Sequence, residues 1–408
     1  MTKISRTTDM TQGSEMRHII MFSLPLLAGN LLQQTYNIVD TMVVGRYLGD
    51  DALAAVGATG SITYLFYTLC IGLSVGAGII VAQYFGAGKK KALRSAVFNS
   101  ALVTAIFGIV ISLLSVPAAR PILELLKVPD KLIGDSVAYM QIACGGTIAV
   151  AAYNWINAIM RALGDSKTPL IFLGAASLLN ALLDLLFVVV FKFGIAGAAW
   201  ATVLTQALSA ISCIVYCFAV SGEIKLTADD LHADKDMMSR CVKTGVPIAI
   251  QNGLISVSMV ALQRVTNGFG ETVMAAYTVS MRIEQFVQQP FSSLNAAVST
   301  FTGQNIGAGK EKRAQKGLAC AIKISVIFSA VVLVLFALFG GAITSWFVKG
   351  KTVISISAKA LIITSLFYWS LGIIHTTRGF LNGAGDTNYA LVNGMAEVIC
   401  RIGLSLIL

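Results

Sequence analysis

The chain has 408 residues, 56% of them hydrophobic and only 12% charged, with a mean hydropathy of +0.77. Such a composition excludes a water-soluble globular domain and a disordered polymer, because most of the surface must face something other than water. The formal net charge of +10 comes from basic residues scattered over short polar stretches without aromatic interleaving, which reads as membrane topology and not as a nucleic-acid surface.

Taken in chain order, a polar opening segment leads into an apolar run too long for a cleavable signal sequence. Eleven apolar runs follow one another, at 18–44, 53–82, 95–117, 136–160, 169–191, 195–220, 241–266, 273–300, 318–347, 354–380 and 388–408. Each is about 20 residues or longer, the length that crosses a bilayer as helix. Strand alternation is absent, which argues against a β-barrel. The 37 glycines, dense in stretches such as Gly72–Gly78, suit close helix packing. The expected fold is an all-α polytopic membrane protein.

The first run holds Pro25 and Asp40, and a loop Gln83-Tyr-Phe-Gly-Ala-Gly-Lys89 follows the second. Met160-Arg-Ala-Leu-Gly-Asp-Ser166 closes the fourth run, and the fifth holds Asn180 and Asp184. The longest charged segment, 221–240, reads as a solvated cytoplasmic linker with some amphipathic helix. The seventh run has no acid at all, whereas Glu284 lies in the eighth and Glu397 in the eleventh. His375, near the end of the tenth, reads as an interfacial residue. The seven cysteines, including Cys213 and Cys217 on one helix face, form no metal-ligand pattern and read as packing residues.

The loop after the second run returns as Gln304-Asn-Ile-Gly-Ala-Gly-Lys310, 221 residues later. Gly164-Asp165 returns as Gly385-Asp386 and Gly49 as Gly270 at the same spacing, while Pro25 and Asn30 return as Pro247 and Asn252 one residue further on. Two copies of one unit therefore make up the chain, as in transporters built from similar halves. The expected organisation is an N-terminal lobe of six spans over 1–220, a linker over 221–240 and a C-terminal lobe over 241–408. Two six-helix bundles related by a pseudo-two-fold axis along the membrane normal follow from an even number of spans per unit. Residues 238–408 match 17–187, so the counterparts of 188–220 are unaccounted for and a twelfth helix is expected to be missing from this chain. Lys and Arg number 18 on the side of the N-terminus against nine on the other, which puts the N-terminus in the cytoplasm of a multi-pass plasma-membrane protein.

Charge inside a bilayer costs roughly 2.5–3.5 kcal/mol per residue on insertion scales, so the four intramembrane acids are functional candidates by default. Glu397 lies four residues before Arg401, which favours a structural ion pair. Glu284 has a weaker partner in Arg282, two residues away and on another helix face. Asp40 and Asp184 have no basic neighbour within their own spans, so function is favoured. Asn180 and Asp184 are four residues apart and share a face, and an amide oxygen beside a carboxylate is hard-oxygen chemistry suited to Na⁺ or to a proton. In the second half Asp40 falls on Ala261 or Leu262, Asn180 on Arg401 and Asp184 on Ser405. Duplication alone does not explain the first-half acids, and the ion site belongs to that half.

Asp40 with Pro25 upstream, the two Gln-x-x-Gly-Ala-Gly-Lys loops, Met160–Ser166 and Asn180-x-x-x-Asp184 together resemble the multidrug and toxic compound extrusion (MATE) family, its prokaryotic branch, over essentially the whole chain. The resemblance implies two six-helix lobes around a central cavity, and export of organic, often cationic, compounds in exchange for Na⁺ or H⁺, by a monomer in membrane lipid with no further cofactor. It implies a first-lobe cation site at Asp40, Asn180, Asp184 and Thr202, with Tyr139 and Asn154 nearby, which would hold Na⁺ where that is the coupling ion. It makes Pro25 a hinge. The acid that some members carry in the seventh span has no match here. A flippase for a lipid-linked saccharide, from the same wider superfamily, is the runner-up, but the first-half spans hold almost no basic residues for a pyrophosphate. An enzyme is disfavoured, since no His–acid cluster, nucleophile arrangement or phosphate loop is present and Gly-Ala-Gly-Lys lacks P-loop spacing.

Overall fold

The structure, a computed structural model, describes residues 7–220, 224–227 and 230–407, the side chains of 260, 261, 263, 264, 267 and 404–407 excepted. Among the described residues thirteen α-helices follow in order: α1 (Glu15–Leu48), α2 (Asp50–Gly86), α3 (Lys90–Leu125), α4 (Asp130–Gly145), α5 (Thr147–Ala162), α6 (Lys167–Asp184), α7 (Gly194–Val220), α8 (Lys235–Asn267), α9 (Glu271–Gly307), α10 (Glu311–Ser345), α11 (Lys351–Ser365), α12 (Tyr368–Ala384) and α13 (Thr387–Ile407). They map onto the eleven expected runs. The fourth run is α4 and α5, bent by 44°, and the tenth is α11 and α12, bent by 51°. The fifth is α6 continued by a π-helical stretch, Leu185–Val190. Five helices are long and apolar enough to cross a bilayer alone, seven spans when each bent pair counts as one. The other helices fall short of that measure; α1, for example, carries Gln33, Gln34, Asn37 and Asp40.

The repeat is visible in the backbone. Gly49 and Gly270 have φ of 87° and 89°, Gly88 and Gly309 of 66° and 70°, and Gly164 and Gly385 of 80° and 91°. Each pair reverses the chain at equivalent helix ends, in a region that only glycine enters at little cost. Buried cores lie inside each half, around Leu73, Val97, Trp155 and Ile159 in the first and Phe291, Val332, Leu361 and Tyr368 in the second. Cys213 and Cys217 are part of the first core, as packing residues should be. His375 lies in the middle of α12, its ring stacked on Phe291 at 6.2 Å, so it packs within the second half and is not interfacial.

The halves meet through glycine-lined backbone contacts. A Cβ on Gly86 would fall 1.9 Å from the Gln304 carbonyl oxygen, and one on Gly307 would fall 1.9 Å from that of Gln83. Gln83 donates to the Gly383 carbonyl at 3.0 Å, and Gln304 to the Ala162 carbonyl at 2.9 Å. Both residues of one bond are shifted by 221 from their counterparts in the other, so this clasp straddles the pseudo-two-fold axis. Deeper in, Gly72 abuts Ala249 and Gly76 abuts Gly245, while Ile19 and Phe22 of α1 pack on Leu294, Val298 and Phe301 of α9. These contacts fall on the side where the N-terminus lies.

The N-terminal segment straps that side. Thr8 N donates to Leu163 O in the first half at 3.2 Å, and Met10 N to Gln304 Oε1 in the second at 2.9 Å. Arg313 donates to the carbonyls of Met10, Gln12 and Gly13 and pairs with Glu15 at 3.1 Å. The connector between halves carries helix in part, as its sequence suggests. It is helical from Lys235, and its preceding part is pinned: Ile224 and Asp230 are buried, Asn99 accepts from Asp234 N at 2.8 Å, and Arg94 lies 3.7 Å from Asp230. Residues 221–223 and 228–229 lie outside the described residues.

Candidate functional site

Asp40 sits on the last third of α1 and Asp184 closes α6. Asn180 and Asp184, one turn apart, are 1% and 0% exposed. The two carboxyls lie within hydrogen-bonding reach of each other, with Tyr36 and Tyr139 beside them. Tyr36 Oη donates to Thr202 Oγ1 at 3.5 Å, and Thr202 Oγ1 to the Ala198 carbonyl at 3.2 Å. Four helices thus converge on one point, since α1, α4, α6 and α7 bring Asp40, Tyr139, Asn180 with Asp184, and Thr202. Asn154 stands apart in its bonding: its amide donates to Val150 O, one turn back in α5, at 2.8 Å. Tyr36 was not foreseen; its position four residues before Asp40 on one helix face was the available signal.

Three carboxylate oxygens of this cluster lack donors. Asp40 Oδ1 and both Asp184 oxygens are buried without a hydrogen-bond partner, as is the Asn180 amide nitrogen. Two carboxylates facing each other out of water and without donors cannot both stay uncompensated. A proton shared between them or a small cation among hard oxygens would supply the balance, and the donor set of carboxylates, amide and hydroxyl fits Na⁺. The backbone passes into the π-helical stretch immediately after Asp184, a local widening that recurs at functional positions. Beside the cluster a cavity of about 20 Å³ is lined by Tyr36, Thr205, Gln206 and Ser209.

The second half holds an ion-pair network at the corresponding depth. Glu397 accepts from Arg401 at 2.6 Å, as its spacing predicts, and also from Arg378 at 2.8 Å. Arg401, the counterpart of Asn180, donates onward to Ser258 Oγ at 2.8 Å. Glu284 lies beside Thr364 and Tyr368. The side chains of Ala261 and Ser405, the other counterparts, lie outside the described residues.

Duplicated helical bundles, lobes that meet at one membrane side and an acidic cluster buried within one of them define a polytopic membrane transporter. The family model MatE matches residues 25–186 and again 247–407, and the chain belongs to that family of transporters, which is not an enzyme class. Among relatives, the probable multidrug resistance protein YoeA of Bacillus subtilis (strain 168) is 31% identical over 393 residues, covering 95% of this chain and 85% of that one. YpnP of the same organism, also a probable multidrug resistance protein, is 29% identical over 386 residues, covering 94% and 86%. A solved structure described as the outward-facing conformation of a multidrug resistance MATE family transporter superposes with a TM-score of 0.91 at 23% identity, over 98% of this chain and 90% of that one. The protein is accordingly a multi-pass transporter of the plasma membrane.

Proposed function

We propose that the chain is a secondary antiporter that exports small organic, often cationic, compounds in exchange for Na⁺ or H⁺, as a monomer in membrane lipid. The observation that carries the reading is the Asp40–Asp184 pair, whose buried oxygens lack donors. Such a pair takes up one positive charge when water or ion reaches it and gives it up only to a changed environment. Asn180, Thr202, Tyr139 and Asn154 complete the site in this reading, and the names of the two Bacillus relatives support multidrug substrates. The 18 to nine basic-residue asymmetry supports a cytoplasmic N-terminus, which makes the strapped side the cytoplasmic one and the conformation open to the outside. Pro25, inside α1, removes one backbone hydrogen bond and lets the helix bend at modest cost. Charge uptake at Asp40, about four turns on, then changes which partners α1 prefers.

A lipid-linked saccharide flippase would need several free cations together for a diphosphate, and in the second half Arg378 and Arg401 are both committed to Glu397. The test is export of a fluorescent organic cation from proteoliposomes with an imposed Na⁺ or pH gradient. Asp40→Asn and Asp184→Asn should each abolish gradient-driven export without impairing insertion. Wild-type rates in both mutants rule the assignment out.

A further inference from the structure

A second polar site lies between the lobes, away from the carboxylate cluster. A cavity of about 110 Å³ is lined by α2 and α5 from one half and by α9 and α12 from the other. Its polar wall is Arg161 on one side and Asn295, Ser299, Thr300 and Asn382 on the other. Arg161 and Asn382 are counterparts, 221 residues apart, and so are Gly78 and Ser299, both of them lining residues. The cavity therefore sits on the pseudo-two-fold axis, with its charge on one side only.

The repeat supplies the control. One turn before Asn382, the second half has its own arginine, Arg378, and neutralises it with Glu397 at 2.8 Å. The position equivalent to Glu397 in the first half is Ala176, so the first half has no such acid. Among the described residues Arg161 makes no salt bridge: the nearest acid in sequence, Asp165, is turned to the amides of Lys167 and Thr168 and to the Thr168 hydroxyl. A guanidinium at a lobe interface, without a counter-charge and facing amides and hydroxyls, is costly unless an anion or water meets it. Planar donors on one wall, with amide and hydroxyl donors opposite, form a cradle for an anion. The space is enough for a small ion with water, and one positive charge balances one negative charge.

We propose that Arg161, with Asn382, Asn295 and Thr300, binds a small monovalent inorganic anion of the chloride type on the pseudo-two-fold axis. The anion bridges the two lobes on the side already closed by Gln83 and Gln304, and it cancels the Arg161 charge there. It thereby favours the lobe-closed form and removes a repulsive charge from a transporter whose cargo is cationic; this last point alone rests on the function proposed above.

The test uses the purified full chain in detergent, with gluconate replaced by chloride at constant ionic strength. Chloride should raise Tm saturably, by roughly 2 °C or more, and Arg161→Gln should remove the chloride dependence. Asn382→Asp builds a counter-anion into the cavity, so its Tm in gluconate should equal the wild-type value in saturating chloride and no longer respond to chloride. That variant keeps the test informative should Arg161→Gln fold poorly. Equal Tm in gluconate and chloride for the wild type would overturn the proposal, as would a full chloride response in Asn382→Asp. Saturable stabilisation by sulfate or phosphate but not by chloride would overturn the monovalent assignment. None of these readings depends on transport, so Asp40→Asn should keep the chloride response whatever its effect on export.

Discussion

Replacing Gly86 and Gly307 by alanine attacks the place where the two repeats touch most closely. Each new Cβ would lie 1.9 Å from a carbonyl oxygen of the opposite lobe, and 2.6–2.8 Å from the carbon atoms behind it. Ordinary contact begins at 3.4 Å, so each lobe must retreat by about 1.5 Å, and the obstacle is helix backbone, which has no rotamer to escape into. Overpacking of this kind costs about 1–3 kcal/mol per site, which lowers the population of the closed form by about 5- to 140-fold relative to a form separated on that side. Spin labels at Lys91 and Lys312, exposed repeat-equivalent positions, report the separation directly. Each single mutant should shift the distance distribution to longer values, and the double mutant further. Gly57→Ala and Gly60→Ala are the controls, since a Cβ at either meets nothing within 4 Å. A distribution in Gly86→Ala, Gly307→Ala unchanged from wild type, with unchanged Tm, would refute the claim that this contact sets the closed state.

Arg313→Ala removes four hydrogen bonds to the carbonyls of Met10, Gln12 and Gly13 and the ion pair to Glu15. It should cost about 1–3 kcal/mol of strap attachment and raise the rate of limited proteolysis near residue 12 several-fold. Glu397→Gln leaves Arg378 and Arg401 without their shared acid and should destabilise the second half by about 3 kcal/mol, read as a fall in the denaturant midpoint. Asp165→Ala deprives Lys167 N, Thr168 N and Thr168 Oγ1 of their acceptor and should cost about 1–2 kcal/mol in the same measurement. Pro25→Ala should slow gradient-driven export more than Pro247→Ala; equal slowing would mark both as ordinary kinks.

Much of this fold is legible in the sequence because two signals reinforce each other. Hydropathy places all eleven runs, and the 221-residue echo assigns them to two units without any structural knowledge. Asp40 and Asp184 stand out because an acid in an apolar helix is expensive and their counterparts are not acids. The breaks at Gly146 and Phe367 are invisible to hydropathy, which sees an unbroken apolar run across them. At Gly146 the glycine itself answers to a tertiary contact, since a Cβ there would fall 2.4 Å from Val203 Cγ2. Tyr36 joins the site through a bond to Thr202, 166 residues away, and no local pattern encodes that. The Gln-x-x-Gly-Ala-Gly-Lys loops read as simple turns, yet their Gln and first Gly form the clasp between lobes. The repetition was seen, but what repeats is a contact across the axis, and such a contact shows only when both copies are placed together.

The asymmetry between halves also bears on which lobe the proposed coupling ion would address. In the second half, Arg401 on α13 is tied to Ser258 on α8 and to Glu397, and Glu397 is tied to Arg378 on α12. Three helices are cross-linked by charge-assisted bonds around a position that Asn180 occupies in the first half. Parting α12 or α13 from that network would leave a guanidinium or the shared carboxylate unpaired. The corresponding helices of the first half have no such ties. There α1 is held to α7 by the 3.5 Å contact of Tyr36 with Thr202, and Asp40 Oδ1 and both Asp184 oxygens are buried without a hydrogen-bond partner. In the proposed exchange one added positive charge would turn the contact of Asp40 with Asp184 from repulsive to attractive, while Glu397 in the second half is already paired with Arg378 and Arg401. A ligand moves a two-state element only through the difference in its affinity for the two states, and in the proposed function the Asp40–Asp184 pair supplies that difference.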